Sequence, residues 1–312
     1  MKRKMLDLTF RILLEEGFTL FGVVNKKDCH FDDWMSSWLK NKYHADMLWM
    51  EKYQKIRKNP TSIEGFGRSL ISAAMPYHTR PPKKWTPYNP ISNYAWGEDY
   101  HLVVRKKLER VIEKLREECP DLKARAFVDT APLPEKLIAL KCGLGWIGKN
   151  GMLINRHYGS YLFLGEILTD QDMETTGEPV KNYCGTCTKC IDACPTNAII
   201  SWGVIDSSRC ISYLTIEKRG DFSETEKQAL RFQIFGCDIC QQVCPWNKKA
   251  PYTNVKAFSC SEKWLDLDID RMAALTRKQY DDLKIKSPVK RTKFEGFIRN
   301  ARTVLKNRKQ QS

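Results

Sequence analysis

The stretch Cys184-Gly-Thr-Cys187-Thr-Lys-Cys190-Ile-Asp-Ala-Cys194-Pro195 does most to determine the fold class of this 312-residue chain. Its spacing, C-x2-C-x2-C-x3-C-P, is the one that wraps a 4Fe–4S cube in thiolates, and in two-cluster ferredoxins the fourth cysteine of each run ligates the other cluster. A second run reads Cys237-Asp-Ile-Cys240-Gln-Gln-Val-Cys244-Pro245, and Cys210 lies upstream of it. The sequence therefore predicts one cluster on Cys184, Cys187, Cys190 and Cys244, and a second cluster on Cys194, Cys210, Cys237 and Cys240.

Zinc and disulfide bonds are the alternative uses of such cysteines. A zinc ribbon uses paired C-x2-C units, usually without a C-x3-C-P ending. A disulfide framework is typical of short secreted chains. The spacing favours two neighbouring clusters, which form a relay for single electrons. The cysteines outside both runs are expected to be small buried hydrophobic residues: Cys29, Cys119, Cys142 and Cys260.

Composition places the chain among globular proteins. Hydrophobic residues make up 42% of the chain, which excludes a disordered class. No run approaches the roughly 18 apolar residues that a membrane helix needs, and residues 1–10 lack the apolar core and cleavage site of a secretory leader. We therefore expect a monomeric cytoplasmic protein, in a reducing compartment that suits oxygen-sensitive clusters.

Hydrophobic periodicity predicts the fold class α+β. The expected helices are residues 6–16, 100–119 and 134–140, and the expected strands are 18–24, 69–75, 124–128 and 159–169. A polar stretch over 170–180 is the expected linker. We predict an N-terminal α/β domain over 1–178, a bacterial-ferredoxin-like domain with both clusters over 179–260, and a basic helical C-terminal segment over 261–312.

The positive charge is concentrated near the C-terminus. Lys and Arg outnumber Asp and Glu by 52 to 37, a net charge of +15. Glu295 is the only acid among ten basic residues in this part of the chain, which is typical of a segment that binds a polyanion. Nucleic acid is the expected partner, with a solvated basic tail as the alternative. The basic residues are Lys284, Lys286, Lys290, Arg291, Lys293, Arg299, Arg302, Lys306, Arg308 and Lys309.

The stretch Gly143-Leu-Gly145-Trp-Ile-Gly148 matches the G-x-G-x-x-G fingerprint of dinucleotide-binding proteins. That fingerprint requires a strand before it and a helix after it. Here a helix is predicted before the glycines, and a loop and strand after them. A nicotinamide cofactor is therefore not expected, and the glycines are interpreted as sites of close backbone approach.

Several blocks of the sequence resemble epoxyqueuosine reductases, and they occur in the order of that family. They are Asp99-Tyr100-His101, Val128-Asp129-Thr130-Ala131-Pro132, Gly143 to Asn150, Gly159 to Glu166, Cys210-Ile-Ser-Tyr-Leu214, Cys237 to Asn247 and Arg299-Asn-Ala301. The resemblance covers nearly the whole chain. It implies an oxidoreductase that uses cobalamin, two 4Fe–4S clusters and an external low-potential electron donor to reduce epoxyqueuosine to queuosine at the wobble position of tRNA. Many relatives continue into a longer helical-repeat domain that helps to hold tRNA, whereas this sequence stops at Ser312.

The resemblance also implies roles for particular residues. Asp129 corresponds to the aspartate that donates the proton, and burial beside apolar groups and a corrin face is expected to raise its pKa; a helix N-cap is the structural alternative. His101 is interpreted as a structural residue at a helix start, because Val104 stands where the corrinoid motif D-x-H-x-x-G has glycine. The candidate cobalamin contacts are Asp129, Leu153, Leu164 and Ser212, with Arg57 and Lys149 as further candidates.

Two other functions would explain part of the sequence. A corrinoid reductase of a small molecule, of the reductive dehalogenase type, offers no reason for the +15 charge. A two-cluster electron carrier leaves about 180 N-terminal residues without a function and is usually small and acidic. The sequence favours the tRNA enzyme over both.

Overall fold

A computed structural model describes residues 2–32, 34–82, 90–178 and 180–311 of the chain. Pro179, where the ferredoxin-like domain was predicted to begin, lies outside the described residues, as do the terminal residues Met1 and Ser312. The strands are β1 (Leu20–Asn25), β2 (Ser69–Pro76), β3 (Ala124–Phe127), β4 (Trp146–Ile147), β5 (Leu153–Ile154), β6 (Leu162–Thr169), β7 (Ile199–Ser201) and β8 (Val204–Ile205).

Short helices predominate in the second half of the chain. The helices are α1 (Lys2–Glu15), α2 (Trp34–Lys40), α3 (Gln54–Lys58), α4 (Tyr100–Glu118), α5 (Glu135–Lys141), α6 (Lys189–Asp192), α7 (Ile211–Ile216), α8 (Glu224–Ala229), α9 (Ile239–Gln242), α10 (Pro245–Lys248), α11 (Glu262–Leu265), α12 (Ile269–Ala273), α13 (Arg277–Leu283) and α14 (Lys293–Gln311). The mixed helix and strand content confirms the predicted α+β class.

The main sheet has the strand order β1-β2-β6-β3, and all of its pairings are antiparallel. Every residue of β2 is buried. Ile71 and Met75 face the hydrophobic cluster that includes α1 and α4, whereas Leu70 and Ala74 face the cluster that includes α5. A strand covered on both faces has a nearly continuous apolar sequence, which is why this strand could be predicted.

The helix α4 shows how the sequence positions the future site. Its buried residues are Val104, Leu108, Val111, Ile112 and Leu115, which form one apolar stripe against the sheet. Asp99 is the N-cap, and its side chain accepts a hydrogen bond from the backbone N–H of His101. The first turn of α4 is therefore fixed both by packing and by a buried carboxylate.

The predicted strand over 159–169 begins only at Leu162. Gly159 has a φ of +64° and pairs with Asn155 in an isolated bridge. The backbone N–H of Ser160 is bound by the side chain of Asn247. Because both residues are engaged elsewhere, the ladder of β6 starts after them.

A second hydrophobic core lies outside the sheet. It combines residues 91–96, 213–235 and 264–304, with Trp96, Phe235, Trp264, Tyr280 and Phe297 among its fully buried side chains. The helical character predicted after Cys260 is confirmed by α11 to α14. These helices pack on residues that come much earlier in the chain.

The polar stretch after β6 runs along the edge of the sheet. The hydroxyl of Thr176 accepts from the backbone N–H of Val23 at 2.9 Å, and that of Thr175 accepts from the N–H of Asn25 at 3.0 Å.

No described helix is long and apolar enough to cross a membrane.

Candidate cluster and active sites

The cysteines predicted to hold the first cluster surround one cavity. Cys184, Cys187, Cys190 and Cys244 all line a space of about 200 Å³. Three of them come from the first run and one from the second, as crossed ligation requires. Among the described residues, no three His, Cys, Asp or Glu side chains lie close enough to hold a single metal ion; the four cysteines instead surround the cavity.

The other four predicted ligands form a second group. Burial raises the pKa of Cys237, and Cys210 and Cys194 raise it further. The pKa of Cys240 is raised by burial, and then by Cys237 and Cys210. Charges interact more strongly the closer they lie, so these mutual effects on pKa indicate that the four thiols are neighbours. Cys190 also acts on Cys240, which places the two groups close to each other.

Buried hydrogen bonds join the second cysteine run to the rest of the fold. Asn247 Oδ1 accepts from the backbone N–H of Ser160 at 2.6 Å, and its amide donates to Ser160 Oγ at 2.9 Å. A Cβ at Gly159 would collide with Asn247, so this approach requires glycine. The carboxylate of Asp238 accepts from the backbone N–H of Asn93 at 2.6 Å. These bonds fix the positions of Cys237, Cys240 and Cys244.

The remaining four cysteines are packed in the protein. Cys29 and Cys142 are buried, which agrees with the expectation that they are small hydrophobic residues. Cys119 and Cys260 are half-buried and pack against the first and second hydrophobic cores respectively. They complete cores rather than a site.

Asp129 lies two residues beyond the end of β3 and belongs to a chain of charged side chains. Its Oδ2 lies 3.0 Å from His101 Nε2, and His101 Nδ1 lies 2.6 Å from Asp99 Oδ1. Asp99 is fully buried, and Lys290 Nζ donates to its Oδ2 at 2.6 Å. The side chain of Asp129 is 57% exposed. The chain Lys290–Asp99–His101–Asp129 therefore leads from a buried carboxylate to one that faces solvent.

The interactions among these four side chains determine which of them carries a proton at neutral pH. Burial lowers the pKa of His101, but the hydrogen bonds to Asp129 and Asp99 outweigh it and raise the pKa to about 9. Burial raises the pKa of Asp99, yet its hydrogen bonds with His101 and Lys290 bring it down to about 2. His101 is therefore an imidazolium ion at neutral pH, held between two carboxylates.

The net effect of the surrounding side chains on the pKa of Asp129 is opposite to the expected rise. Burial does act to raise the pKa, but the hydrogen bond and positive charge of His101 reverse the shift, and the pKa of Asp129 is lowered. The apolar sequence before Asp129 could not reveal this, because His101 comes from a different element. His101 is a helix-start residue, as predicted, and in addition a partner of Asp129.

Two carboxyl groups that the sequence analysis did not single out lie behind Asp129. Glu135, at the start of α5, accepts a hydrogen bond from the backbone N–H of Asp129. Burial and the charge of Asp129 raise the pKa of Glu135 to about 7. Glu166 in β6 is fully buried and accepts from Ser72 Oγ at 3.3 Å. Asp129 has a φ of +57°, an uncommon conformation for a non-glycine residue, and Glu135 holds the backbone in that conformation.

Stacked rings connect this site with the cysteines. Tyr100 stacks on Phe163 with 4.4 Å between ring centroids, and Phe163 stacks on Tyr77 at 4.2 Å. Burial raises the pKa of Tyr77, and Asp238 and Cys240 raise it further. The helix that carries His101 is thus linked through buried aromatic contacts to the surroundings of the second cysteine group.

Besides Asp129, the residues proposed to contact cobalamin fall in four places. Leu153 and Leu164 share one apolar cluster on a face of the sheet. Ser212 lies beside Cys210, since its hydrogen bonds act on the pKa of that thiol. Lys149 lines the cavity of the first cysteine group. Arg57 is in α3, and its Nε is buried without a hydrogen-bond partner among the described residues.

Many of the basic residues near the C-terminus already have structural partners. Besides the bond from Lys290 to Asp99, Arg291 binds both carboxylate oxygens of Glu217 at 2.8–3.1 Å. Arg299 donates to backbone carbonyls, including those of Leu214 and Lys218. Part of the basic excess therefore stabilises the fold, and the sequence alone did not distinguish these cations from exposed ones.

Two family models and a sequence relative match the chain. A family model described as a 4Fe–4S double cluster binding domain matches residues 183–247. Another, described as epoxyqueuosine reductase QueG, DUF1730, matches residues 57–130. The epoxyqueuosine reductase of Leadbetterella byssophila is 41% identical over 275 residues, covering 85% of this chain and 86% of that protein.

Solved structures give the same result. A crystal structure of epoxyqueuosine reductase with an epoxyqueuosine-modified tRNA-Tyr stem loop aligns with a TM-score of 0.88 and 25% identity, covering 98% of this chain and 82% of that chain. The Bacillus subtilis epoxyqueuosine reductase, with its catalytic aspartate loop swung out of the active site, aligns with a TM-score of 0.86 and 25% identity, covering 97% and 82%.

The fold and the two cysteine groups define an oxidoreductase with a double 4Fe–4S cluster domain. The chain belongs to the epoxyqueuosine reductase family. The relatives therefore support the tRNA enzyme among the functions considered from sequence, and not the small-molecule reductase or the electron carrier.

Proposed function

We propose that this chain reduces the epoxide of epoxyqueuosine in the wobble position of tRNA, leaving the alkene of queuosine. The observation that carries the proposal is the solvent-facing Asp129, held by a protonated His101 in a protein with two cysteine groups. Removing an epoxide oxygen as water consumes two electrons and two protons. Two one-electron clusters would supply the electrons. His101, acting through Asp129, would supply one proton, and solvent, which Asp129 faces, would supply the second.

The cysteines would hold the electron carriers. Thiolate sets of four are the usual ligands of 4Fe–4S clusters. We assign Cys184, Cys187, Cys190 and Cys244 to one cluster because they line a common cavity. We assign Cys194, Cys210, Cys237 and Cys240 to the other because these thiols act on one another's pKa. An external low-potential donor would reduce the clusters.

The proton would leave from Asp129. A general acid must lie within hydrogen-bond reach of the oxygen that it protonates, and Asp129 is the member of its chain that faces solvent. His101 stores a proton at neutral pH and can pass it to Asp129 across 3.0 Å. Asp99 and Lys290 hold the imidazole ring in place. Glu135 keeps the backbone of Asp129 in its left-handed conformation.

The residues proposed as contacts suit cobalamin. Leu153 and Leu164 belong to the apolar core on one face of the sheet and would border the cofactor from within that core. The buried Arg57 Nε is a donor in need of an acceptor such as a phosphate or amide oxygen. When bound, cobalamin supplies a cobalt centre that accepts electrons one at a time and delivers them to carbon. Lys149, which lines the cavity of the first cysteine group, and Ser212, next to Cys210, would hold polar groups of the cofactor.

The charge of the chain and its predicted clusters also support a partner and a cellular compartment. The net charge of +15 suits a tRNA partner, and reduced clusters suit the cytoplasm. We propose that the enzyme acts as a monomer with the domain boundaries given above, 1–178, 179–260 and 261–312.

The test is anaerobic turnover. Protein reconstituted with iron and sulfide is reduced and mixed with epoxyqueuosine-containing tRNA, with and without cobalamin, and the nucleosides are analysed by mass. Loss of one oxygen mass only with cobalamin is the expected result. Loss of oxygen without cobalamin would contradict the cofactor assignment, and no conversion in a protein with full iron and bound corrin would contradict the substrate.

A further inference from the structure

The segment 48–58 exposes an unusual amount of apolar surface. Leu48 is 61% exposed, Trp49 is 42% exposed and Tyr53 is 61% exposed. Leu48 and Trp49 lie in a 3-10 turn, Leu48–Met50, and Tyr53 is the N-cap residue of α3. Tyr53 has a φ of +60°, a conformation that costs energy for a non-glycine residue. A large exposed aromatic pair in one short segment is typical of an interaction site.

Cations are interleaved with these aromatic rings. The segment reads Leu-Trp-Met-Glu-Lys-Tyr-Gln-Lys-Ile-Arg-Lys, and Lys52 and Lys55 are exposed. The guanidinium of Arg291 lies over the ring of Trp49, with 5.1 Å between Arg291 Cζ and the ring centroid. Glu217 binds that guanidinium and fixes its plane. The segment and Arg291 together therefore offer exposed aromatic rings, a guanidinium held in place and exposed ammonium groups.

This surface adjoins the proton-donating site. Arg291 follows Lys290, whose ammonium group binds Asp99. The positive charge of Arg291 also lowers the pKa of Asp129. A molecule that rests on Trp49 and Arg291 would therefore lie beside Lys290, the first member of the series of side-chain contacts that ends at Asp129.

Unpaired RNA bases match this combination better than other partners do. Splayed bases of an RNA loop stack on aromatic rings and on arginine planes, and nearby lysines bind the phosphates between them. A duplex hides its base faces and would use only the cations. An acidic peptide would pair with the lysines but would leave the exposed rings of Trp49 and Tyr53 unmatched.

We infer that Trp49, Tyr53 and Arg291 form a stacking platform for unpaired loop bases beside the nucleotide that reacts. The inference rests on the proposed tRNA substrate and adds the surface that holds it. The platform grips bases next to the target, so that the target nucleotide projects towards Asp129. Lys52 and Lys55 contribute salt-dependent phosphate contacts.

The experiment measures binding rather than turnover. Cluster-loaded protein is titrated into a fluorescent anticodon stem-loop RNA, and separately into a fully paired RNA of the same stem sequence, and anisotropy is recorded. Trp49→Ala and Tyr53→Ala should each weaken binding of the loop RNA by about fivefold or more, the effect of losing one base stack, and should leave the duplex unchanged. Trp49→Phe should retain most of the affinity because it keeps a ring.

Tyr252→Ala is the matched control, since Tyr252 is a tyrosine of similar exposure, 46%, outside this surface. It should bind both RNAs as the wild-type protein does, and equal iron content in all variants shows that each is folded. The inference is overturned if Trp49→Ala and Tyr53→Ala bind the loop RNA normally, or lose loop and duplex equally. In either case, conversion of epoxyqueuosine tRNA by the wild-type protein would leave the proposed function intact.

Discussion

The cysteine groups and the Asp129 site are built in opposite ways. Seven of the eight predicted cluster ligands come from two short runs, each with fixed spacing. The four members of the charged chain come from the start of α4, the loop after β3 and the turn before α14, and 191 positions separate Asp99 from Lys290. The cysteines need a partner from outside the chain to balance their charge, whereas Asp99, His101, Asp129 and Lys290 balance one another.

The two sites therefore depend on the fold to different degrees. A ligand run carries most of its geometry in its own spacing. A proton-donating site obtains its chemistry from neighbours, and here the neighbour His101 reverses the sign of the pKa shift of Asp129. Variants of the first kind should therefore remove a component outright, and variants of the second kind should retune a rate or a pH profile.

The largest effect is expected at the cysteines. Cys240→Ser removes one of four thiolates from the second group, so iron per chain should fall from about eight to about four, and turnover should be lost. Iron and sulfide analysis after anaerobic reconstitution measures this. Cys119→Ser, outside both runs, should keep the full content; a full complement in Cys240→Ser would contradict the ligand assignment.

A smaller effect is expected at His101. His101→Gln keeps a hydrogen-bond donor near Asp129 but removes the stored proton, so turnover should fall by about tenfold to a hundredfold. In the wild-type protein turnover should decline as the pH rises through about 9, where His101 loses its proton. The variant should lack that decline, and the pKa of Asp129 should rise because the opposing charge is gone.

The exposed His157 provides the control, and His157→Gln should behave as the wild-type protein does. An unchanged pH profile in His101→Gln would show that Asp129 obtains its proton elsewhere.

The smallest effect is expected at Lys290. Lys290→Met leaves the buried Asp99 with one partner fewer and should lower the free energy of unfolding by about 1 kcal/mol, since Lys290 itself is half exposed. The folded pKa of Asp99 is depressed to about 2, so this stabilisation is present above the ordinary aspartate pKa and is lost only as the pH falls through about 2. Thermal unfolding should therefore show a constant difference from pH 5 to pH 8. Lys306→Met, on an exposed lysine, should show none.

Features that are determined by a short stretch of sequence could be predicted, and features that depend on contacts between distant residues could not. The buried strand β2, the amphipathic helix α4 and the cysteine groups are written in short stretches, and each could be predicted from them. The role of His101 could not, because Asp129 meets it only after β3 and α4 pack together. The start of β6 was misplaced because Asn247, distant in the sequence, takes the backbone of Ser160.

The basic residues illustrate the same limit. Their excess near the C-terminus was visible in the sequence, but the bonds of Arg291 to Glu217 and of Arg299 to backbone carbonyls were not. The aromatic residues Trp49 and Tyr53 gave no periodic signal and became conspicuous only through their exposure.

The most direct test couples the two regions in one observation. Wild-type protein and Asp129→Asn, both loaded with clusters and cobalamin and reduced beforehand, are mixed with epoxyqueuosine-containing tRNA in a stopped-flow instrument, and the iron–sulfur absorbance is followed. We expect the wild-type clusters to be reoxidised as queuosine forms. The clusters of the equally reduced variant should be reoxidised about a hundredfold more slowly, or less completely. Equal reoxidation and equal product in both proteins would contradict the assignment of the proton to Asp129.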